Sequence, residues 1–136
     1  MKKGLYFIAF LVVFIFITGM GGLGGTPANK IPTPEKDFSA TIIDKQDTVT
    51  KCKQVSREGD VFFLGKKGSG TVTIPFEKIN TAEFESENNA MNVVVQLTDN
   101  QTIKIKMDKN QTFYGMTSFG TFQIGIIDLK KITFVH

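Results

Sequence analysis

The stretch GKKGSGTVTIPFEKINTAEF, residues 65–84, recurs as GMTSFGTFQIGIIDLKKITF at residues 115–134. The two copies align without a gap, so that each residue of the first copy matches the residue 50 positions later. The alignment pairs glycines at 65/115 and 70/120, threonines at 71/121, isoleucines at 74/124 and phenylalanines at 84/134. We interpret the match as an internal duplication, because a repeat of this kind marks a supersecondary unit that occurs more than once.

Each copy predicts β-structure. Apolar residues alternate at positions 72, 74 and 76, and again at 122, 124 and 126, and side chains two apart share one face of a strand. Pro75 predicts an edge strand or a strand end, because proline has no N–H to donate to a neighbour. The glycine pairs predict turns or bulges, and their spacing matches neither the dinucleotide fingerprint nor the phosphate loop.

The repeat extends backward to a hairpin in each copy. Residues 38–44 and 48–55 predict the first hairpin, and residues 91–98 and 101–107 predict the second, with a turn at Asp99-Asn100. Matching Ile43 with Leu97 and Val49 with Ile103 sets an offset of 54 for this part. The first copy then holds four additional residues near 55–60.

These patterns predict one all-β domain at residues 38–136. It consists of about ten short strands in a compact barrel or sandwich, built from two similar halves, 38–87 and 91–135. No segment beyond residue 40 predicts a helix of ordinary length. The preceding residues 29–37 contain two prolines without apolar periodicity, which predicts a linker.

Residues 1–28 predict export. Lys2 and Lys3 precede an unbroken apolar run at 5–17, and small residues follow, as is typical of a secretory signal peptide. The alternative is an uncleaved hydrophobic helix that anchors the chain through residues 5–23, a contact with the membrane that a cleaved segment would not make. Either case predicts a periplasmic or extracellular domain. Candidate cleavage sites follow Gly21, Gly24 or Ala28.

Charge and cysteine content narrow the classes of partner. From residue 29 onward, 14 cationic residues face 13 acidic ones, so the composition does not predict nucleic-acid binding. Lys51 and Lys53, like Lys104 and Lys106, alternate along strands and predict a solvated outer face; the alternative is a basic patch for an anionic polymer. Cys52 is the single cysteine, which leaves burial or pairing between chains, and homo-oligomerisation stays open.

The residues with catalytic potential are few. His136, the last residue, is the single histidine, which argues against Ser/His or Cys/His nucleophiles and a histidine zinc site. The sequence predicts no catalytic residue, metal site or cofactor. Glu83, Glu85 and Glu87 alternate and predict an acidic strand edge that discourages aggregation.

The aromatic residues near the second glycine pair suggest a surface for a carbohydrate or peptide, although core burial is the alternative. They are Phe113, Tyr114, Phe119 and Phe122. The run at 113–134 resembles a recurring segment of exported bacterial β-proteins of unknown role, a resemblance that implies no activity.

We therefore predict a non-enzymatic binding or structural domain of the bacterial envelope, with a protein or an envelope polymer as partner. One alternative is a carrier with a small apolar ligand in a cavity inside the barrel. The other is a hydrolase that uses carboxylates alone and needs two of them to converge across a cleft.

Overall fold

The computed structural model describes residues 31–136. The predicted export segment, residues 1–28, lies outside the described residues, as do the first two residues of the predicted linker. Residues 31–37 contain neither helix nor strand.

Ten strands and two short 3-10 helices make up the domain, and the order of element types in the first half is repeated in the second. The first half contains β1 (Ser39–Asp44), β2 (Val49–Arg57), β3 (Phe62–Lys67), β4 (Gly70–Pro75), η1 (Phe76–Lys78) and β5 (Ile79–Glu87). The second half contains β6 (Ala90–Leu97), β7 (Thr102–Asp108), β8 (Thr112–Thr117), β9 (Gly120–Gly125), η2 (Ile126–Asp128) and β10 (Leu129–Val135). The predictions of an all-β domain and of about ten strands are confirmed.

All ten strands belong to one antiparallel sheet in the order β4-β3-β7-β6-β5-β10-β1-β2-β8-β9. The sheet curls into a half-barrel. It is open, because β4 and β9 each pair with one strand and form its two edges. Pro75 ends β4 at an edge, where the missing N–H costs no ladder hydrogen bond.

The strand order is symmetric. If each strand is replaced by the strand five positions later or earlier in the chain, the result is the same strand order read from the opposite edge of the sheet. The symmetry requires an exchange: the β3–β4 hairpin of the first half pairs with β7 of the second, and β8–β9 pairs with β2 of the first. At the centre, Ala82 pairs with Ile132, its own equivalent at an offset of 50, so a pseudo-twofold axis passes through this pair.

The predicted offset of 54 for the first hairpin is wrong by one residue. Ala40 pairs with Cys52 and Val93 pairs with Ile105, and all four side chains are buried, which sets the offset at 53. A one-residue slip would turn every side chain to the opposite face. The error arose from matching apolar residue types, because Val49 is 57% exposed and does not mark the buried face.

Phenylalanine rings fill the concave side of the sheet. The ring of Phe63 lies 5.7 Å from that of Phe76, 5.8 Å from Phe113, 6.1 Å from Phe84 and 6.5 Å from Phe134, measured between centroids. Several of these pairs are edge-to-face, the geometry that aromatic quadrupoles favour. Rings from both halves meet in this cluster, so the core is shared between the halves.

The first glycine of each repeated motif lies at a junction between the halves. A Cβ at Gly65 would lie 2.7 Å from the backbone oxygen of Lys106, and a Cβ at Gly115 would lie 2.7 Å from Cβ of Cys52. Contacts this short do not occur for real Cβ atoms, so the close approach of β3 to β7 and of β8 to β2 requires glycine.

The acidic strand edge predicted from three alternating glutamates is wrong. Their strand, β5, lies inside the sheet between β6 and β10. Glu83 lies opposite Lys131, and Glu85 lies opposite Asn92. The polar composition of residues 85–90 predicts a loop, but β5 continues to Glu87, and its exposed residues 85–87 pair with β6.

Arg57 connects the two halves through hydrogen bonds near the bulge in β2. Its side chain donates hydrogen bonds to the backbone oxygen of Phe62 at 2.8 Å, to Gln111 Oε1 at 3.1 Å and to Asp60 Oδ2 at 3.1 Å. The guanidinium carbon lies 5.2 Å from the centroid of the Phe62 ring. Burial lowers the pKa of Arg57, and the charge of Asp60 opposes this effect.

Candidate functional site

The four aromatic residues of the predicted binding surface do not form one surface. Phe113 and Tyr114 are buried, and Phe122 packs partly against the core. Phe119 is 80% exposed. It lies in the β8–β9 turn, where Thr117 Oγ1 accepts a hydrogen bond from the Phe119 N–H at 3.2 Å and donates one to the Gly120 carbonyl at 2.7 Å.

A surface pocket of about 540 Å³ lies at the junction of β2 and β8, and its wall includes Ser118, the residue before Phe119. We call it the β2–β8 pocket. Three strands and the end of β10 contribute its walls. The lining residues are Ser39, Ala40, Thr41, Lys51, Cys52, Lys53, Met116, Thr117, Ser118 and Val135.

A second pocket, of about 390 Å³, lies at the junction of β3 and β7. We call it the β3–β7 pocket. Its lining residues are Lys66, Lys67, Gly68, Glu87, Asn92, Val93, Val94, Lys104, Ile105 and Lys106. Nine of the ten residues that line the first pocket have their symmetry equivalents in the second, at offsets of 53 for β1 and β2 and minus 50 for β8. The two pockets therefore occupy equivalent places in the two halves.

The chemistry of the two pockets differs on one wall. The lysine pair on β2, Lys51 and Lys53, recurs on β7 at the equivalent positions 104 and 106. The wall from the exchanged hairpin is Met116 and Thr117 in the β2–β8 pocket, but two lysines at 66 and 67 in the β3–β7 pocket. One pocket is thus partly apolar, and the other is strongly basic.

The lysines of the β3–β7 pocket have no anionic partner within residues 31–136. The ion pairs of this part of the chain are Lys36–Glu77, Arg57–Asp60 and Lys130–Asp47. The one carboxylate in the pocket wall, Glu87, accepts a hydrogen bond from the Asn92 side chain instead.

Cys52 lies beneath the wall of the β2–β8 pocket and is 3% exposed. Burial raises the pKa of its thiol to about 11, because an apolar environment disfavours the thiolate. Of the two outcomes that the sequence allowed, the structure shows burial. A buried thiol with a raised pKa is a poor nucleophile.

Within residues 31–136, no three His, Cys, Asp or Glu side chains come together in a way that could hold a metal ion. The ring of His136 is held against the domain: its Nε2 donates to the backbone oxygen of Ile79 at 2.7 Å, and the ring stacks on Phe134. No helix in this part of the chain is long and apolar enough to cross a membrane.

Comparison with known proteins places residues 34–136 in a family whose model is described as an uncharacterised protein. The chain belongs to this family. The match begins shortly before β1 and includes all ten strands, so the unit that defines the family coincides with the half-barrel. Neither the curated proteins nor the solved structures provide a match.

Proposed function

We propose that the chain is an exported, non-enzymatic binding domain of the bacterial envelope, periplasmic or extracellular, that contacts a protein partner through the β2–β8 pocket and Phe119. The observation that carries the proposal is the 80% exposure of Phe119, which directly follows Ser118 in the wall of a pocket of about 540 Å³.

The pocket and its surroundings combine the features of a protein-contact site. Met116 contributes an apolar wall, and Val135, 60% exposed, contributes another. Contiguous exposed apolar surface marks interaction sites, and aromatic anchors supply much of the energy in many interfaces. Covering the Phe119 ring is worth roughly 1.5–3 kcal/mol. The turn hydrogen bonds hold the backbone at Phe119 in place before any partner arrives, which reduces the entropy lost on binding.

Export rests on the sequence of residues 1–28. Ten residues, 29–38, connect this segment to β1, and a fully extended chain of this length spans roughly 33–36 Å. If the segment stays uncleaved, the domain therefore remains close to the membrane surface. If it is cleaved, the domain is released with the same fold, because β1 to β10 and the core lie downstream of it.

The proposal also covers the origin of the two similar halves. We infer that residues 38–87 and 91–135 are copies of one ancestral unit. The equivalent strand registers support this inference, as do the two equivalent pockets. A symmetric ancestor with two identical pockets, one of which later acquired lysines and the other Phe119, accounts for their present difference.

The alternative of a small apolar-ligand carrier needs a cavity in the interior. The phenylalanine cluster around Phe63 occupies that space, which argues against it. A hydrolase that works with carboxylates alone needs two converging acids. Glu83 and Glu85 line one surface pocket, but they project from the same strand, opposite Lys131 and Asn92, and not from facing walls, which argues against this alternative.

Site-specific photo-crosslinking in living cells tests the contact. A photoreactive residue is placed at Phe119 in the full chain, and a matched control has it at Ser69, the equivalent turn position of the β3–β4 hairpin. We expect one discrete crosslinked protein from position 119 and none from position 69. Products that are absent, or identical at both positions, would contradict the protein-contact proposal.

Protease digestion tests export separately. The full chain should be degraded in spheroplasts without lysis of the cytoplasmic membrane, while a cytoplasmic marker stays intact. Mass spectrometry of the purified protein then distinguishes a mature chain that begins after residue 21, 24 or 28 from an uncleaved one. Protection of the domain until lysis would refute an exported location.

A further inference from the structure

We propose that the β3–β7 pocket binds the phosphate groups of a linear anionic polymer. This site is distinct from the β2–β8 pocket proposed above as the protein contact, and its occupant is an envelope polymer rather than a protein. Four lysines line it, at positions 66, 67, 104 and 106.

Two of these lysines repel each other in the unliganded protein. Lys66 and Lys106 are direct cross-strand partners, and theirs is the pairing that joins β3 to β7. Like charges that face each other across two strands are destabilising. No ion pair within the described residues relieves the repulsion. An anion bound between the two ammonium groups would relieve it, which makes this junction a natural place for a bound phosphate.

The spacing of the lysines suits a chain of phosphates. Lys66 and Lys106 lie across the strands with Cα atoms roughly 4.5–5.5 Å apart, so their ammonium groups can share one phosphate. Lys104 lies two residues before Lys106, roughly 6.6–6.8 Å along the same strand and on the same face. It can contact the next phosphate of a polymer that follows β7. Lysine suits this task because it binds phosphate as a compact point charge.

Negative charge bounds the basic surface on one side, beginning with Glu87 in the pocket wall, whose carboxylate accepts a hydrogen bond from Asn92. Glu83 and Glu85 face outward from β5, and β6 separates them from the lysines of β7. Two strand spacings place this acidic row roughly 10 Å from β7. The row repels a polyanion, so it restricts the polymer to the junction of β3 and β7.

The equivalent pocket in the other half of the domain can be compared with the proposed phosphate site. The β2–β8 pocket carries the equivalent lysine pair, Lys51 and Lys53, but Met116 and Thr117 replace the lysines of the other wall. With half the lysines and no facing pair, it should hold phosphate much more weakly. Because the lysines of both pockets are exposed, single contacts are weak, and a polymer with many phosphates is favoured over a single phosphate ion.

Binding of inorganic polyphosphate to the immobilised full chain tests the site. We expect affinity to fall roughly 20–50-fold between 50 and 200 mM salt, as for three to four phosphate contacts. The double variant Lys66→Met/Lys67→Thr, which copies the wall of the other pocket, should lose binding at least about tenfold. The matched control Lys51→Gln/Lys53→Gln should change it less than about twofold.

A reciprocal variant distinguishes loss of the binding site from loss of the fold. Met116→Lys/Thr117→Lys copies the basic wall into the β2–β8 pocket, and we expect stronger polyphosphate binding. Equal losses from both lysine pairs, or no gain from the reciprocal variant, would overturn the site. Equal affinity for polyglutamate would overturn phosphate as the ligand group. Tighter binding to phosphatidylglycerol vesicles than to polyphosphate would overturn the polymer as its source.

Discussion

Replacement of the first glycine in each repeat should destabilise the domain, because each glycine lies against a strand of the other half. At Gly65 the new methyl would meet the Lys106 backbone oxygen at 2.7 Å, and at Gly115 it would meet Cβ of Cys52 at the same distance. Neither atom is the far end of a flexible side chain. Relief therefore requires the paired strands to separate by several tenths of an ångström.

The expected change in the free energy of unfolding follows from two opposing effects. Overpacking of this kind costs about 1–3 kcal/mol, and alanine in permissive backbone returns about 0.4–1 kcal/mol by restricting the unfolded chain. We expect a net loss of about 1–2 kcal/mol for Gly115→Ala. Gly65→Ala should lose about 2 kcal/mol, because its neighbour is backbone and separating the strands also weakens the backbone pairing of β3 with β7.

Gly70→Ala is the matched control. It lies in the same repeated motif, yet the nearest atom to its added Cβ is the Lys67 oxygen at 3.6 Å, an ordinary contact. We expect it to be neutral or stabilising by up to about 1 kcal/mol. Urea unfolding of the full chain, followed by far-UV circular dichroism, should show midpoints lowered by roughly 1 M for the two junction variants. If these variants are as stable as Gly70→Ala, the strands do not approach each other as described.

Other substitutions test the core, the bulge and the thiol. Phe63→Ala should cost about 3–5 kcal/mol and Phe119→Ala less than about 0.5 kcal/mol; equal losses in thermal unfolding would contradict the assignment of core and surface. Arg57→Ala should cost about 2–4 kcal/mol through lost buried hydrogen bonds. Asp60→Asn, at the half-exposed partner, should cost less than about 1 kcal/mol. The midpoints of urea unfolding measure this difference, and equal midpoints would contradict it. Because the pKa of Cys52 is raised from 9.0 to about 11, the unfolded thiol ionises first, so stability should fall above pH 9 by up to about 1.4 kcal/mol per pH unit. Cys52→Ala should remove this component of the alkaline slope, and an unchanged slope would show that the thiol is not its source.

Local patterns in the sequence predict the strands well. The Asp99-Asn100 turn forms as expected: Asn100 has a φ of 71°, and Asp99 Oδ1 accepts the N–H of Gln101 at 3.0 Å. Pro75 lies at an edge, and alternating apolar residues face the core. Each of these features depends on interactions within a few residues, which the sequence displays directly.

The exchange of hairpins is not predictable from such patterns. Alternation shows which face of β3 is buried, but it does not show whether β2 or β7 is the neighbouring strand. The bulge in β2 is hidden for the same reason: Gln54 has a positive φ of 51°, and its residue type does not mark the position.

The site was predicted in part. The gapless alignment that revealed the repeat also matches Phe119 with Ser69, which lies between two glycines. That match indicates a turn position and hence exposure, but grouping aromatic residues by proximity in sequence obscured it. The outward lysines at 104 and 106 were predicted from alternation. Their meeting with Lys66 was not, because it depends on the exchanged hairpin.

The central claim is that each β-hairpin with a glycine pair joins the other half of the chain. Long-range nuclear Overhauser effects between backbone protons of isotope-labelled protein test it most directly. The account predicts cross-peaks that connect Lys66 with Lys106 and Met116 with Lys53. Cross-peaks that instead connect β3 with β2 along their length, and β8 with β7, would show that each half folds on itself and would contradict the exchange.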